Sequence, residues 1–296
     1  MVTRLQIAKD DIVRYFDSQE TKVLRQADIA KVLQDQRGFW RLAQSTTTLA
    51  LIDFLLKQGR LAKLEFPFPS RRETRYVWGD VPLLEVLLSL KAGSYFSHYT
   101  AVRLHGLTEQ IPKTIYLNHE QPPRPQGTPL QQKAIDFAFR ARPRVSNNQV
   151  DFESYRICLI NGKATGQLGV ETQSARYDDQ PPATVRVTNL ERTLIDIAVR
   201  PIYAGGVNEV AKAYSLAADR FSVNRLSAML KKLQHSYPYH QAIGFYLEKS
   251  GVPELMLDIF RSFPQEFDFY LANQMGETDY VPGWRLFVPK GFNLSN

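Results

Sequence analysis

The amino-acid sequence predicts an α+β fold: three helices and a β-hairpin in residues 1–80, then a larger mixed α/β region, 81–296. Three observations predict it. Apolar residues recur at helical spacing in three successive segments before residue 59. Residues 60–78 then read as two short alternating runs around a Pro-rich turn. From residue 189 onward helical periodicity returns.

The elements follow in order. Residues 7–16 place Ile7, Ala8, Ile12, Val13 and Phe16 at helical spacing, and residues 23–33 repeat the pattern from Val23 to Leu33. The stretch 36–40, around Gly38, breaks the period. A third helix is expected to start at Ser45 or Thr46, both good N-caps, to carry Leu49, Ile52, Phe54, Leu55 and Leu56, and to stop at Gly59. Residues 60–66 and 74–78 read as strands, joined by a loop over 67–72. Three helices followed by a hairpin is the order of a winged helix-turn-helix.

In the second region helices are expected over 82–90 and 97–105, the latter closed by Gly106. Short strands are expected at 114–117, 134–139, 155–160 and 184–187, with Pro-rich loops at 121–126 and 176–182. That sheet-containing part runs over about 81–188. A mostly helical part, to about 265, holds segments 190–199, 207–218, 223–233, 241–249 and 253–260. Residues 273–296 read as irregular structure or short strands.

Apolar residues make up 44% and charged residues 23% of the 296, enough for a large core without disulfides or metals. The one cysteine, Cys158, sits in an apolar run and reads as a small buried hydrophobe; a lone cysteine fits a reducing cytoplasm. The start has no apolar stretch of signal-peptide length, and the greasiest run, 81–90, is too short and carries Glu85. The expected location is cytoplasmic. Lys plus Arg (37) exceeds Asp plus Glu (30), and a charge of +7 permits a polyanionic partner without demanding one.

In a winged helix the third helix enters the major groove and the hairpin reaches an adjacent groove or the phosphates. Here the third helix begins with Gln44, Ser45, Thr46, Thr47 and Thr48, which can donate and accept at base edges or phosphates. Arg37 and Arg41 flank the turn before it, and Lys57, Arg60, Lys63, Arg71, Arg72 and Arg75 face only Glu65 and Glu73 in residues 57–75. These residues, from Arg41 on, are the candidate contacts to double-stranded DNA, with two protomers on an inverted repeat. The bland reading is that the Ser/Thr run caps a helix and the arginines form a solvated face of a protein-interaction module.

Other constellations read as structural. His98 and His105 are seven apart but lack a third ligand, so no metal is expected. Glu191 suits a helix first turn, and Arg192 and Asp196, four apart, read as a pair on the helix surface. Gly162, Gly166 and Gly169 mark a turn, since their spacing is not that of a phosphate loop. Tyr237, Tyr239, Phe245 and Tyr246 read as core aromatics, with base stacking as the alternative. A nuclease would draw on Glu171, Asp178, Asp179 and Glu191. No nucleophile elbow, Cys/His cluster, kinase or dehydrogenase signature is present, so neither a cofactor nor an enzymatic activity is expected.

Four segments carry a resemblance. Residues 94–108, SYFSHYTAVRLHGLT, resemble the "SALxLHGL" segment of AbiEi-type antitoxins. Residues 185–197, VRVTNLERTLIDI, resemble that family's strand and "ERTLxD" helix; residues 200–206, RPIYAGG, its "RP…GG" turn; and residues 241–248, QAIGFYLE, its "xxLGYLLE" helix. They occur in the family's order within about residues 5–250. The resemblance implies a winged helix with a larger C-terminal domain, repression of the chain's own promoter, and opposition to a cognate nucleotidyltransferase toxin in a type IV toxin–antitoxin system. The turn at 36–41 and the wing tip at 66–72 depart from the family pattern, and the chain past about 250 matches none of it.

Overall fold

The structure, a computed structural model, describes residues 3–123, 129–178 and 181–292. It is a mixed α+β fold. Parts of the two Pro-rich loops, Asp179 among them, and the last four residues lie outside the described residues.

The N-terminal part contains α1 (Arg4–Ile7), α2 (Lys9–Ser18), β1 (Val23–Leu24), α3 (Gln26–Gln36), α4 (Thr48–Lys57), β2 (Leu61–Pro67) and β3 (Arg72–Trp78). The predicted first helix is two, broken at Ala8, and Ile7 is 75% exposed because the core contacts begin at Ala8, Ile12 and Phe16. The predicted second helix starts three residues late. Val23 and Leu24 instead pair antiparallel with Val77 and Tyr76, and Arg25 holds an extended backbone whose N–H donates to the Asp28 carboxylate at 2.8 Å. Strand order is β1-β3-β2, and Ile12, Phe16, Ile29, Leu33, Trp40, Leu51, Leu55 and Trp78 close one helical core against the sheet.

A six-stranded mixed sheet follows. Its strands are β4 (Tyr95–Phe96), β5 (Thr114–Glu120), β6 (Gln149–Phe152), β7 (Tyr155–Gly162), β8 (Val170–Ala175) and β9 (Ala183–Thr188), in the order β6-β7-β5-β4-β9-β8. β5 runs parallel to β7 and β4 parallel to β9. Helices α5 (Leu83–Leu88) and α6 (His98–Leu104) precede and interrupt the strands, and α7 (Gln132–Arg140) replaces the strand expected at 134–139. Ile135, Phe137 and Phe139 alternate like a strand, but only Ile135 and Phe139, one helical turn apart, are buried; Phe137 is 80% exposed.

Five helices form the last layer: α8 (Leu190–Val199), α9 (Val207–Ala217), α10 (Val223–Leu233), α11 (Tyr239–Lys249) and α12 (Glu254–Arg261). Side-chain caps set two of their starts: the Asn189 and Ser222 side chains accept from the N–H groups of Arg192 and Arg225. The end of the chain adds a small sheet of β10 (Phe269–Tyr270), β11 (Thr278–Val281) and β12 (Leu286–Pro289). Its Trp284 packs against Gly244 in α11, where no larger residue fits. No helix among the described residues is long and apolar enough to cross a membrane.

Candidate nucleic-acid interface

The register of the hairpin decides which cations face outward. Lys63 pairs across with Tyr76, Glu65 with Thr74 and Pro67 with Arg72, so these six share one face; Leu64 pairs with Arg75 and Phe66 with Glu73 on the other. The first face is buried on the helical core at Leu61, Tyr76 and Trp78 and open only at Lys63, Glu65, Pro67 and Arg72; the second is covered. Leu64, Phe66 and Val77 join the core beneath the six-stranded sheet, and the Phe66 ring stacks on Phe152 at 4.6 Å between centroids. The tip is tied down as well: Phe68 is buried, and Ser70 reaches Asn148 at 3.5 Å.

Arg75 is therefore removed from the candidate DNA contacts. It is 4% exposed, donates to Glu73 and the Thr74 carbonyl, and holds both the hydroxyl and the carbonyl of Ser89. Four further predicted contacts are exposed but paired. Lys57 meets Asp53 at 2.7 Å, Arg60 meets Asp17 at 2.9 Å, Lys63 meets Glu65 at 2.7 Å, and Arg71 meets Glu73. The first three are solvent-exposed pairs, worth little and readily exchanged, so Lys57, Arg60 and Lys63 can be recruited by a phosphate; Glu73 is mostly buried and also holds Arg75, so Arg71 is tied more firmly. Arg72 and Arg41 are exposed without an ion-pair partner among the described residues.

The front of α4 is open. Thr47, not Ser45 or Thr46, is the N-cap; its hydroxyl accepts from the Ala50 N–H at 3.1 Å because Thr47 is the last residue with extended dihedrals. Gln44, Ser45 and Thr47 are exposed, Thr46 and Thr48 half-buried. Leu49 is 63% exposed and Asp53 lies on the outward side of the same helix.

Arg37 was not among the predicted contacts, yet it sets the shape of this surface. Its guanidinium donates to the carbonyls of Ala43 at 2.5 Å, Gln44 at 3.4 Å and Thr46 at 3.0 Å, fixing the loop that delivers α4. Arg4, Arg37, Arg41 and Gln44 line one concavity beside that loop. Arg41 sits in the left-handed region at φ 50°, which turns the chain so that Trp40 goes inward and Arg41 outward.

The remaining constellations are engaged elsewhere. His98 Nδ1 meets the Ser97 hydroxyl and His105 Nε2 the Thr188 carbonyl, so the two rings do not share a ligand. Arg192 and Asp196 do pair, at 2.8 Å, but inside the protein and not on the helix surface, because α8 is buried nearly all round. Glu191 accepts from the Ser222 N–H and from Arg225, capping α10. Asp178 holds Arg103 and Tyr155, and Glu171 accepts from Asn189. No group of three His, Cys, Asp or Glu side chains able to hold a metal occurs among the described residues. Phe245 and Tyr246 are buried, with Tyr246 stacked on Tyr214, and burial pushes the Cys158 thiol up to about 11.

No family model matches the chain, and the comparison with curated proteins finds no match. Among solved structures, the crystal structure of the RV2827C protein from Mycobacterium tuberculosis is similar with a TM-score of 0.59 at 15% identity, over 95% of this chain and 91% of that one. At that identity the likeness is one of fold alone.

Proposed function

We propose that the N-terminal 80 residues are a winged helix-turn-helix and that the chain is a DNA-binding autorepressor and antitoxin, acting against a nucleotidyltransferase toxin. The observation that carries the DNA-binding part is the joint exposure of the capped α4 front end, Arg41, and Lys63 and Arg72 on the hairpin. Backbone N–H groups at α4's first turn attract a phosphate, and Gln44, Ser45 and Thr47 offer hydrogen bonds to groove edges. The antitoxin part rests on the four segments resembling AbiEi-type proteins.

The test is a mobility shift with DNA from upstream of the chain's own gene, together with the identity of the adjacent gene. A sequence-dependent shift beside a nucleotidyltransferase gene supports both parts; no shift removes the regulator.

A second reading, a protein-interaction module that neutralises a toxin without touching DNA, is favoured by the pairing of Lys57, Arg60, Lys63 and Arg71 with carboxylates. A stable complex with the co-expressed toxin and no DNA shift would select it.

A further inference from the structure

None of the four resembling segments lies in the proposed DNA-facing surface, and three of them meet around one cavity. His98 comes from the first, Arg192 and Asp196 from the second, and Arg200 from the third. The cavity, of about 280 Å³, lies between α8, the ends of β5 and β7, and the 235–239 turn.

Its lining is polar and unevenly satisfied. Arg192 and Asp196 neutralise each other at 2.8 Å, and Arg192 also donates to the Leu168 carbonyl, so this pair is a fixed wall. His235 Nε2 is buried without a hydrogen-bond partner among the described residues. Burying such a group unpaired is unfavourable, and a hydrogen bond from a ligand would recover that cost. His98 sits in the left-handed region at φ 52°, and burial holds both it and His235 neutral by lowering their pKa values to about 4. Two cations remain without an opposing carboxylate among the described residues. Lys163 spends two donors on the Leu233 and Gln234 carbonyls and keeps the third; Arg200 is exposed above the Tyr203 ring.

A second, larger cavity of about 520 Å³ meets the first at Val199, Arg200, Tyr237 and Tyr239. Phe137, 80% exposed, lines it together with Arg142 and Arg144. An aromatic wall with guanidinium groups takes a planar ring. The inner space, with two spare positive charges, takes a dianion.

We propose that this double cavity binds a nucleoside monophosphate, with the phosphate between Lys163 and Arg200 and the base against Tyr237 and Phe137. Neither the DNA-binding nor the antitoxin reading is needed for it.

The test is calorimetry and thermal shift on the full-length protein with AMP, GMP, CMP and UMP, and with adenosine and inorganic phosphate as separate arms. At least one mononucleotide is expected to bind below about 1 mM, and at least about tenfold more tightly than adenosine or phosphate alone. Arg200→Met and Lys163→Met are each expected to weaken it by about tenfold or more; Arg200→Met, at an exposed side chain, leaves the unliganded melting temperature unchanged, while Lys163→Met lowers it slightly by removing the contacts to the Leu233 and Gln234 carbonyls. No response to any of the four nucleotides at about 1 mM overturns the proposal. So does phosphate binding as tightly as the nucleotides, or binding by both variants equal to wild type.

Discussion

Arg75 and Ser89 form a double contact across two elements: the Arg75 Nε donates to the Ser89 hydroxyl at 3.0 Å and its Nη2 to the Ser89 carbonyl at 2.8 Å. The same guanidinium holds Glu73 at 3.0 Å. One buried arginine thus ties the hairpin to the end of α5 and to the core beneath the large sheet.

Arg75→Ala is therefore expected to act on stability. It leaves the Ser89 carbonyl without its side-chain donor and Glu73 with Arg71 alone, at a cost of about 3 kcal/mol. Arg72→Ala, on the outward face, is expected to leave the melting temperature unchanged. Thermal unfolding of the two variants side by side checks this.

Arg37→Ala is expected to loosen residues 43–46 by removing three hydrogen bonds to their carbonyls. On the proposed DNA-binding reading, affinity should fall about tenfold with little change in the salt slope, because every cation proposed to meet a phosphate is retained. Binding isotherms at several salt concentrations separate this from the removal of a cation that grips a phosphate.

Gly244→Ala normally gains helix propensity, but here the new Cβ would lie 2.2 Å from the Trp284 ring. That ring is itself fixed by Nε1 donating to Glu248 at 2.5 Å and by burial. A drop in stability of about 2–4 kcal/mol in a denaturant titration is expected, opposite in sign to the propensity term.

Acid should destabilise the fold through its buried histidines. Burial holds His98 and His240 at about 4, below the ordinary 6.5. Between those values the unfolded chain binds protons that the folded one does not. Stability is thus full above about pH 6.5 and falls as pH drops toward 4, by up to about 1.4 kcal/mol per pH unit for each ring. His98→Gln should flatten that slope in urea titrations between neutral pH and the histidine value of about 4.

The helical layer is legible in the sequence because its faces carry a clear apolar period and capping side chains mark its starts; Asn189 and Ser222 stand where two of the helices begin. The small strands are not. β1 has two residues and takes its identity from Val77 and Tyr76, more than fifty residues away. β8, sequence VETQSA, is an edge strand with no buried residue, so no alternation marks it. In the site, the polar front of α4 is legible while the pairing of the cations is not: Asp17 reaches Arg60 from 43 residues upstream. Alternation could not exclude Arg75 from sequence: period two places it with Val77, but it places Arg72 with Tyr76 and Trp78, which are just as buried.

The salt dependence of binding to upstream DNA, measured by fluorescence anisotropy for wild type and for Arg41→Ala/Arg72→Ala, tests the proposed grip of this surface on a duplex most directly. The wild type is expected to show a steep fall in affinity with salt, and the double variant a slope shallower by about 2, one for each arginine withdrawn from a phosphate. Equal slopes and equal affinities for the two proteins would contradict it.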